Sequence, residues 1–274
     1  MKKFFSFVMT VLMATAMSFA QGEGKVSVAV EDFSYNSSIG TNWVEVLRGN
    51  IISGITKTGR VDVVDTKTLS SLPEDKEERM ASLGEMVDIV LTCHFGSMET
   101  GVDKNGKYYY CNSSYTITLT DAKGGAVIST TPYKHSWDMG DTQNDAINSC
   151  LGMTTSDMKK FVDDNIKTEA VIKQLDQVDA KKGVKTAYIS AGSNAGILVG
   201  QMFDIMEEVE IAGEKATKKI GDAKAQEVAS GTLTLIKVSK GGMEIKKAFD
   251  AGHKLTVITR AKKDVFGTID KLLE

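Results

Sequence analysis

The 274-residue chain has only 3 His and 3 Cys, which are too few for a disulfide scaffold or a multi-zinc protein. Zinc prefers Cys and His ligands, so Cys93 and His94, with Cys111 and His135, are a set whose types would suit it. However, Cys93 and His94 are adjacent in a strand-like segment, and adjacent strand residues point to opposite faces of a sheet. We therefore predict no metal site and no cofactor.

No short motif of a known catalytic chemistry occurs in the sequence. It has no phosphate-binding G-x-x-x-x-G-K-[ST] loop, no G-x-S-x-G elbow, no H-E-x-x-H motif and no C-x-x-C pair. Gly192, Gly196 and Gly200 are spaced like a phosphate loop, but no Lys-Ser or Lys-Thr follows, so turns between strands explain them better. An exported hydrolase would need a nucleophile–base pair that is not recognisable here. We predict no catalytic residue and a protein that is not an enzyme.

Composition and charge are those of a globular protein. The chain is 42% hydrophobic and 25% charged, with 25 Gly and 2 Pro, which excludes collagen-like and disordered classes. Acidic residues outnumber basic ones over 21–180, and the reverse holds over 181–274. No basic run is dense enough to predict nucleic-acid binding. The charge asymmetry favours two domains.

Residues 1–20 have the pattern of a cleaved secretory signal peptide. Lys2 and Lys3 precede an uncharged run over 4–16, which is too short to span a bilayer. The small residues Ser18 and Ala20 place the cleavage after Ala20. The next residue is glutamine, where a lipoprotein would have cysteine, so no lipid anchor is expected. We predict an exported protein, periplasmic or associated with the outer membrane, with no transmembrane segment after cleavage.

Residues 21–166 predict an α/β (α+β) domain in which helices flank a mixed sheet. An apolar residue at every fourth position of 42–57 indicates an amphipathic helix. Asn42 and Glu45 resemble a capping box at its start. The predicted strands are 25–31, 60–65, 87–95, 107–120 and 126–131, and the predicted helices are 42–57, 74–83 and 141–166.

The later part of the chain predicts a linker and a second domain. Residues 167–183 are polar and are predicted to be a linker, which a protease should cut first. Residues 184–262 show short strands and glycine turns, typical of a small all-β barrel or sandwich. Residues 263–274 are predicted to be a tail. The predicted strands of the second domain are 186–190, 201–209, 231–239 and 253–260.

Short segments between 25 and 166 follow one another in the order of a known superfamily. They are an acidic-Phe step ending a strand (Glu31-Asp32-Phe33), a Gly-Arg strand entry (Gly59-Arg60), Leu83-Gly84 before Asp88, and an Asp-x-x-Gly turn (Asp121–Gly124). Together they resemble the envelope-assembly superfamily of the curli secretion channel (CsgG-like) and the lipoprotein activator of penicillin-binding proteins (LpoB-like). The resemblance implies a domain that docks onto envelope machinery.

A second pattern lies in the C-terminal part. Residues 197–205 read apolar-x-x-Gly-x-x-Phe-x-apolar, and 251–257 form a glycine-containing return strand. These segments resemble the C-terminal domain of the flagellar assembly protein T family. The resemblance implies a binding or structural module without chemistry.

One property of the curli-channel relatives does not carry over. Its pore-forming members insert two membrane hairpins, and each spanning strand needs about 9–11 residues. The intervals 97–106 and 132–140, where such hairpins would be inserted, are too short for a spanning pair. We therefore predict that this chain is not a pore.

The exported cysteines raise the question of a disulfide. A hairpin turn at Asn105-Gly106 would place Cys93 opposite Ile117 and Cys111 near Glu99. Bridging requires Cα atoms within about 7 Å. We therefore predict that Cys93 and Cys111 are buried and free.

The functional hypothesis is a non-enzymatic accessory protein of envelope, secretion or appendage assembly, acting through protein–protein contacts. Its partners would be envelope or outer-membrane assembly proteins, and homo-oligomer formation is left open. The alternative is a periplasmic binding module for a glycan or peptidoglycan fragment, held by the basic C-terminal domain. Trp137 is the candidate partner contact, in a predicted loop over 133–140 after the fifth strand.

Overall fold

The protein is described by a computed structural model over residues 24–211 and 213–261. The predicted signal peptide (1–20) and tail (263–274) lie outside the described residues. The strands of the described residues form two separate sheets, a mixed sheet and, later in the chain, a closed barrel. None of the helices in the described ranges is both long enough and apolar enough to cross a membrane.

The first sheet combines parallel and antiparallel strands. Its strands are β1 (Val26–Val30), β2 (Ser34–Tyr35), β3 (Val61–Asp65), β4 (Ile89–Val102), β5 (Tyr109–Asp121) and β6 (Val127–Gly140), and its helices are α1 (Thr41–Lys57), α2 (Lys76–Met86) and α3 (Gln143–Asn165). β1 runs parallel to β3 and β4, its two neighbours. The long strands β4, β5 and β6 form an antiparallel meander. The predicted mixed sheet with flanking helices is confirmed.

Helices cover both faces of this sheet. The predicted apolar stripe of α1 is confirmed, since Leu47, Ile51 and Ile55 are fully buried in the core that α1 and α3 form over one face. On the other face, Leu83 of α2 packs with Ala29 and Val90 in a smaller cluster. Each fully buried Leu or Ile contributes about 1.5–3 kcal/mol to stability. Alternate side chains of the strands point to opposite faces of the sheet, and each face is therefore covered by its own helices.

The predicted capping box at Asn42 and Glu45 is wrong. α1 begins one residue earlier, after Gly40, with no side-chain cap. A complete capping box lies on α3 instead. There the Thr142 hydroxyl accepts from the Asp145 N–H, and the Asp145 carboxylate accepts from the Thr142 N–H, each at 3.2 Å. The expected pattern missed it because aspartate occupies the position where glutamate or glutamine was sought.

The second sheet closes into a six-stranded antiparallel barrel, which decides between the barrel and the sandwich. Its elements are β7 (Glu169–Asp179), β8 (Gly183–Ile189), β9 (Met202–Ile211), β10 (Glu214–Val228), β11 (Thr234–Lys240), α4 (Gly242–Asp250) and β12 (Leu255–Arg260). The strand order is β10-β11-β8-β7-β12-β9. Ile245 and Ala248 of α4 pack into the barrel core. Closure leaves no open edge strand in this sheet.

The predicted linker over 167–183 is wrong. Most of it forms β7, which pairs with β8 on one side and β12 on the other. The segment looked like a linker because only Ala170 and Ile172 enter the core, while most other β7 side chains are solvated. A strand paired on both sides is a poor protease site, so the expected first cut there is withdrawn.

Arg60 occupies the junction between the mixed sheet and the barrel, with its side chain 3% exposed. Its guanidinium pairs with Asp163 of α3 and donates at 3.1 Å to the Ile166 carbonyl and to the Thr259 hydroxyl of β12. A Cβ at Gly196 would lie 2.4 Å from the Arg60 carbonyl oxygen, so a barrel loop also packs directly on this backbone. Burial lowers the pKa of Arg60, and Asp163 opposes that shift.

Candidate functional site

Aromatic and apolar side chains gather where β5 begins and β6 ends. Tyr110 of β5 pairs with Gly101 of β4 on one side and with Met139 of β6 on the other. Tyr108, just before β5, lines the same cleft as Met139. Together with Trp137, these side chains form an exposed end of the meander. We call Tyr108, Tyr110, Trp137 and Met139 the aromatic surface.

Trp137 is the most exposed member of the aromatic surface, at 59%. Its ring centroid lies 4.9 Å from that of Tyr110, and its backbone N–H donates to Asn112 Oδ1 at 2.9 Å. Its φ is 64°, the sole positive value at a non-glycine residue in the described ranges. Between the pairs Cys111–Asp138 and Ser113–His135, two β6 residues oppose the single residue Asn112. Trp137 therefore sits in a β-bulge, in the left-handed conformation that glycine usually supplies.

The predicted loop over 133–140 is wrong, because β6 continues to Gly140. Pro132 interrupts the strand pattern just before this segment, and the bulge then breaks strict alternation at Trp137. The bulge also directs the indole toward Tyr110 on the outer surface. The role of Trp137 as a partner contact stays a prediction.

Gly101 makes room for the ring of Tyr110. A Cβ at this position would lie 2.5 Å from the tyrosine ring and hydroxyl. A glycine within a strand often marks such a close approach, and an aromatic ring across it restores packing. The Tyr110 ring is thus held between Gly101 and Trp137. Its position is therefore fixed where the indole packs against it.

A shallow, open cleft of about 430 Å³ adjoins the aromatic surface and is lined by Tyr108, Met139, Gly140, Asp141 and Asp145. Its volume lies within the usual range for small-ligand sites. However, such sites converge several polar groups on the ligand, and here Asp145 is already engaged by Thr142. The geometry suits an extended protein contact better than an enclosed ligand.

A cluster of largely buried polar side chains lies between the meander and α3. The Tyr115 hydroxyl donates to Thr154 Oγ1 at 3.0 Å and lies 3.4 Å from His135 Nε2. The same nitrogen lies 3.2 Å from Asp157 Oδ2. The adjacent Asp157 carboxylate raises the pKa of His135, against the opposing effect of burial. Burial raises the pKa of the Tyr115 hydroxyl, because it disfavours the charged phenolate.

This arrangement predicts a pH-dependent contribution to stability. Because the folded pKa of His135 is raised, its stabilising effect is complete below the unfolded value of about 6.5 and is lost as the pH rises through the folded pKa. His135→Asn should therefore destabilise the protein by ~1 kcal/mol more at pH 5.5 than at pH 8.5. Urea denaturation at the two pH values measures this difference.

His94→Asn is the matched control for that experiment. His94 lies on the outer face and contacts the Ser34 hydroxyl at 2.9 Å, where His135 contacts a carboxylate. An equal loss of stability at both pH values in His135→Asn would contradict the ion pair with Asp157.

The cysteine and histidine positions follow strand alternation as predicted. Cys93 is buried toward the α1 and α3 core, and His94 is exposed on the opposite face. Among residues 24–211 and 213–261, no three His, Cys, Asp or Glu side chains are grouped so that they could hold a metal ion.

The register of the β4–β5 hairpin also agrees with the prediction at Cys93, which lies opposite Ile117. Cys111 lies opposite Thr100, one residue from the predicted Glu99, because a bulge shifts the register between Phe95 and Ser97. Cys93 and Cys111 are both buried, and they are not bridged to each other.

Comparison with known proteins yields distant structural likenesses. No family model and no curated protein matches the chain. Among solved structures, the chain is similar to a PelC dodecamer from Paraburkholderia phytofirmans at 12% identity and a TM-score of 0.36, over 50% of this chain and 89% of that one. It is similar to lipoprotein GNA1162 from Neisseria meningitidis at 15% identity and a TM-score of 0.36, over 50% and 97%.

One of the two superfamily names from the sequence recurs. The LpoB C-terminal domain from Salmonella enterica is similar at 13% identity and a TM-score of 0.27, over 41% of this chain and 83% of that one. These identities and TM-scores are too low to define a family. The curli-channel and flagellar parts of the resemblance gain no support from these structures.

Proposed function

We propose that this chain is an exported, non-enzymatic accessory protein of cell-envelope, secretion or appendage assembly, and that the aromatic surface contacts its partner. Export is supported by the signal-peptide pattern of residues 1–20. Assembly is supported by the order of motifs over 25–166. The aromatic surface supplies the place of contact.

The backbone of Trp137 is the observation that carries the proposal. A non-glycine residue in the left-handed region costs about 1–2 kcal/mol. The tryptophan is 59% exposed, so burial within the chain offsets little of that cost. A partner that covers the indole would offset it. Departures from the favoured backbone cluster at functional sites, and Trp, Tyr and Met are enriched where proteins meet.

The composition of the surface fits a protein partner. Tyr110 packs against the indole, Tyr108 and Met139 add aromatic and apolar area at the adjoining cleft, and Asp141 also lines that cleft. Protein interfaces combine such an apolar centre with a polar rim. The partner surface would therefore present an apolar pocket that accepts an indole.

The test is chemical crosslinking in the native envelope, followed by purification of the tagged full chain and identification of what is bound. The expected result is one specific envelope or assembly protein, recovered at a constant ratio to the chain. Isolated sacculi are tested in parallel for binding. Retention on sacculi without a crosslinked protein would contradict the proposal and favour a glycan-binding module.

A further inference from the structure

Cys111 of β5 and Cys150 of α3 meet in the core of the mixed sheet, and both are fully buried. Cys150 Sγ donates to Ser113 Oγ at 3.1 Å. Cys111 and Ser113 are two residues apart on β5 and therefore project from the same face. The two thiols also share a hydrogen bond, which lowers the pKa of Cys111 and, together with burial, raises that of Cys150.

We propose that Cys111 and Cys150 form a disulfide in the exported protein, which replaces the expectation from the sequence that Cys111 is free. The proposal rests on the predicted export and is independent of the partner contact. Disulfides form and persist in oxidising compartments such as the bacterial periplasm. Both thiols lie in the core between β5 and α3, so the bond joins elements that pack together in the reduced fold.

The reaction is thiol–disulfide exchange with a disulfide oxidant, such as glutathione disulfide. The thiolate of one cysteine attacks the oxidant, forms a mixed disulfide and releases one thiol of the oxidant. The thiolate of the other cysteine then attacks the mixed disulfide and releases the second. The cysteines lose two protons and two electrons, and the oxidant becomes two thiols. Because both cysteines are buried once α3 is docked, the exchange belongs to folding, before this core closes.

Cys93 is excluded from the pair by its position. It lies on β4 opposite Ile117, four positions along β5 from Ser113, the residue that Cys150 contacts. The three cysteines thus divide into one pair and one structural thiol.

The bond would tie α3 to the middle of the meander and close the chain between positions 111 and 150. A disulfide stabilises mainly by restricting the unfolded chain, and more so for long loops. Reduction should therefore lower the Tm by roughly 5–10 °C.

The test uses the full chain, exported from cells and denatured without reductant in the presence of iodoacetamide. Mass spectrometry should show a single alkylated cysteine, Cys93, and a linked peptide that joins Cys111 to Cys150. Cys93→Ser is the matched control and should keep the linked peptide, whereas Cys111→Ser and Cys150→Ser should lose it.

Three alkylated cysteines in the exported chain, and again after refolding with glutathione disulfide, would overturn the proposal. A linked peptide that contains Cys93 would also overturn it. Both readouts come from the unsubstituted protein, so they decide the question even where a serine variant fails to fold.

Discussion

Arg60→Ala is expected to lower the free energy of unfolding by about 3–5 kcal/mol, because it leaves a largely buried carboxylate at Asp163 without its partner. The substitution also removes the donor to the Ile166 carbonyl and to the Thr259 hydroxyl. Thr259 also accepts a hydrogen bond from the Thr168 N–H, just before β7. The substitution therefore weakens the contacts that hold the start of β7 in place. Urea denaturation followed by circular dichroism measures the loss.

Two further variants separate the geometry of Arg60 from its charge. Arg60→Lys keeps the charge but cannot reach Asp163, Ile166 and Thr259 at once, so we expect an intermediate loss of ~2 kcal/mol. Lys67→Ala is the control, since Lys67 forms two ion pairs on the exposed rim of the same sheet, and such pairs contribute about 0–1 kcal/mol. An Arg60→Ala loss no larger than that of Lys67→Ala would refute the junction role.

Trp137→Ala is expected to lower the recovery of the crosslinked partner at least tenfold while the Tm changes by less than about 2 °C. Truncation of a central interface tryptophan commonly costs 2 kcal/mol or more, which corresponds to about 30-fold in affinity. Val127→Ala is the matched control, because Val127 is 63% exposed on the same strand, at its other end. That variant should leave both partner recovery and Tm unchanged.

Trp137→Gly distinguishes a contact role from a structural one. Glycine adopts a φ of 64° without the steric cost that tryptophan bears. We therefore expect this variant to be at least as stable as the unsubstituted protein and still to lose the partner. A fall in Tm on both substitutions would show that the indole holds the fold together, and the contact hypothesis would fail.

The elements of the mixed sheet were largely predictable because their patterns are local. The stripe of α1 predicted a helix over 42–57, and the structure places it at Thr41–Lys57. In contrast, β7, β10 and α4 were not predicted. β7 contributes few side chains to the core, and β10 changes register between Lys219 and Gly221. In both cases pairing in the barrel, and not local pattern, determines the strand.

The sequence alone was enough to name Trp137 as a candidate contact, but not to identify the neighbouring residues of the aromatic surface. Trp137 could be named from its type, yet its neighbours depend on the register that brings Tyr110 beside Met139 and Gly101. The Arg60–Thr259 hydrogen bond joins residues 199 positions apart. The meeting of Cys111 with Cys150 likewise depends on how α3 docks. These contacts join residues that are far apart in the sequence, so no local spacing pattern predicts them.

The central claim is that the aromatic surface, and not the barrel, touches the partner. The most direct measurement places a photoreactive amino acid at Met139 or at Val199 of the full chain and irradiates cells that export it. Both positions are exposed, Met139 at 49% on the aromatic surface and Val199 at 69% on the barrel. We expect a crosslink to one envelope protein from Met139 and none from Val199. A crosslink to an envelope protein from Val199 alone would contradict it.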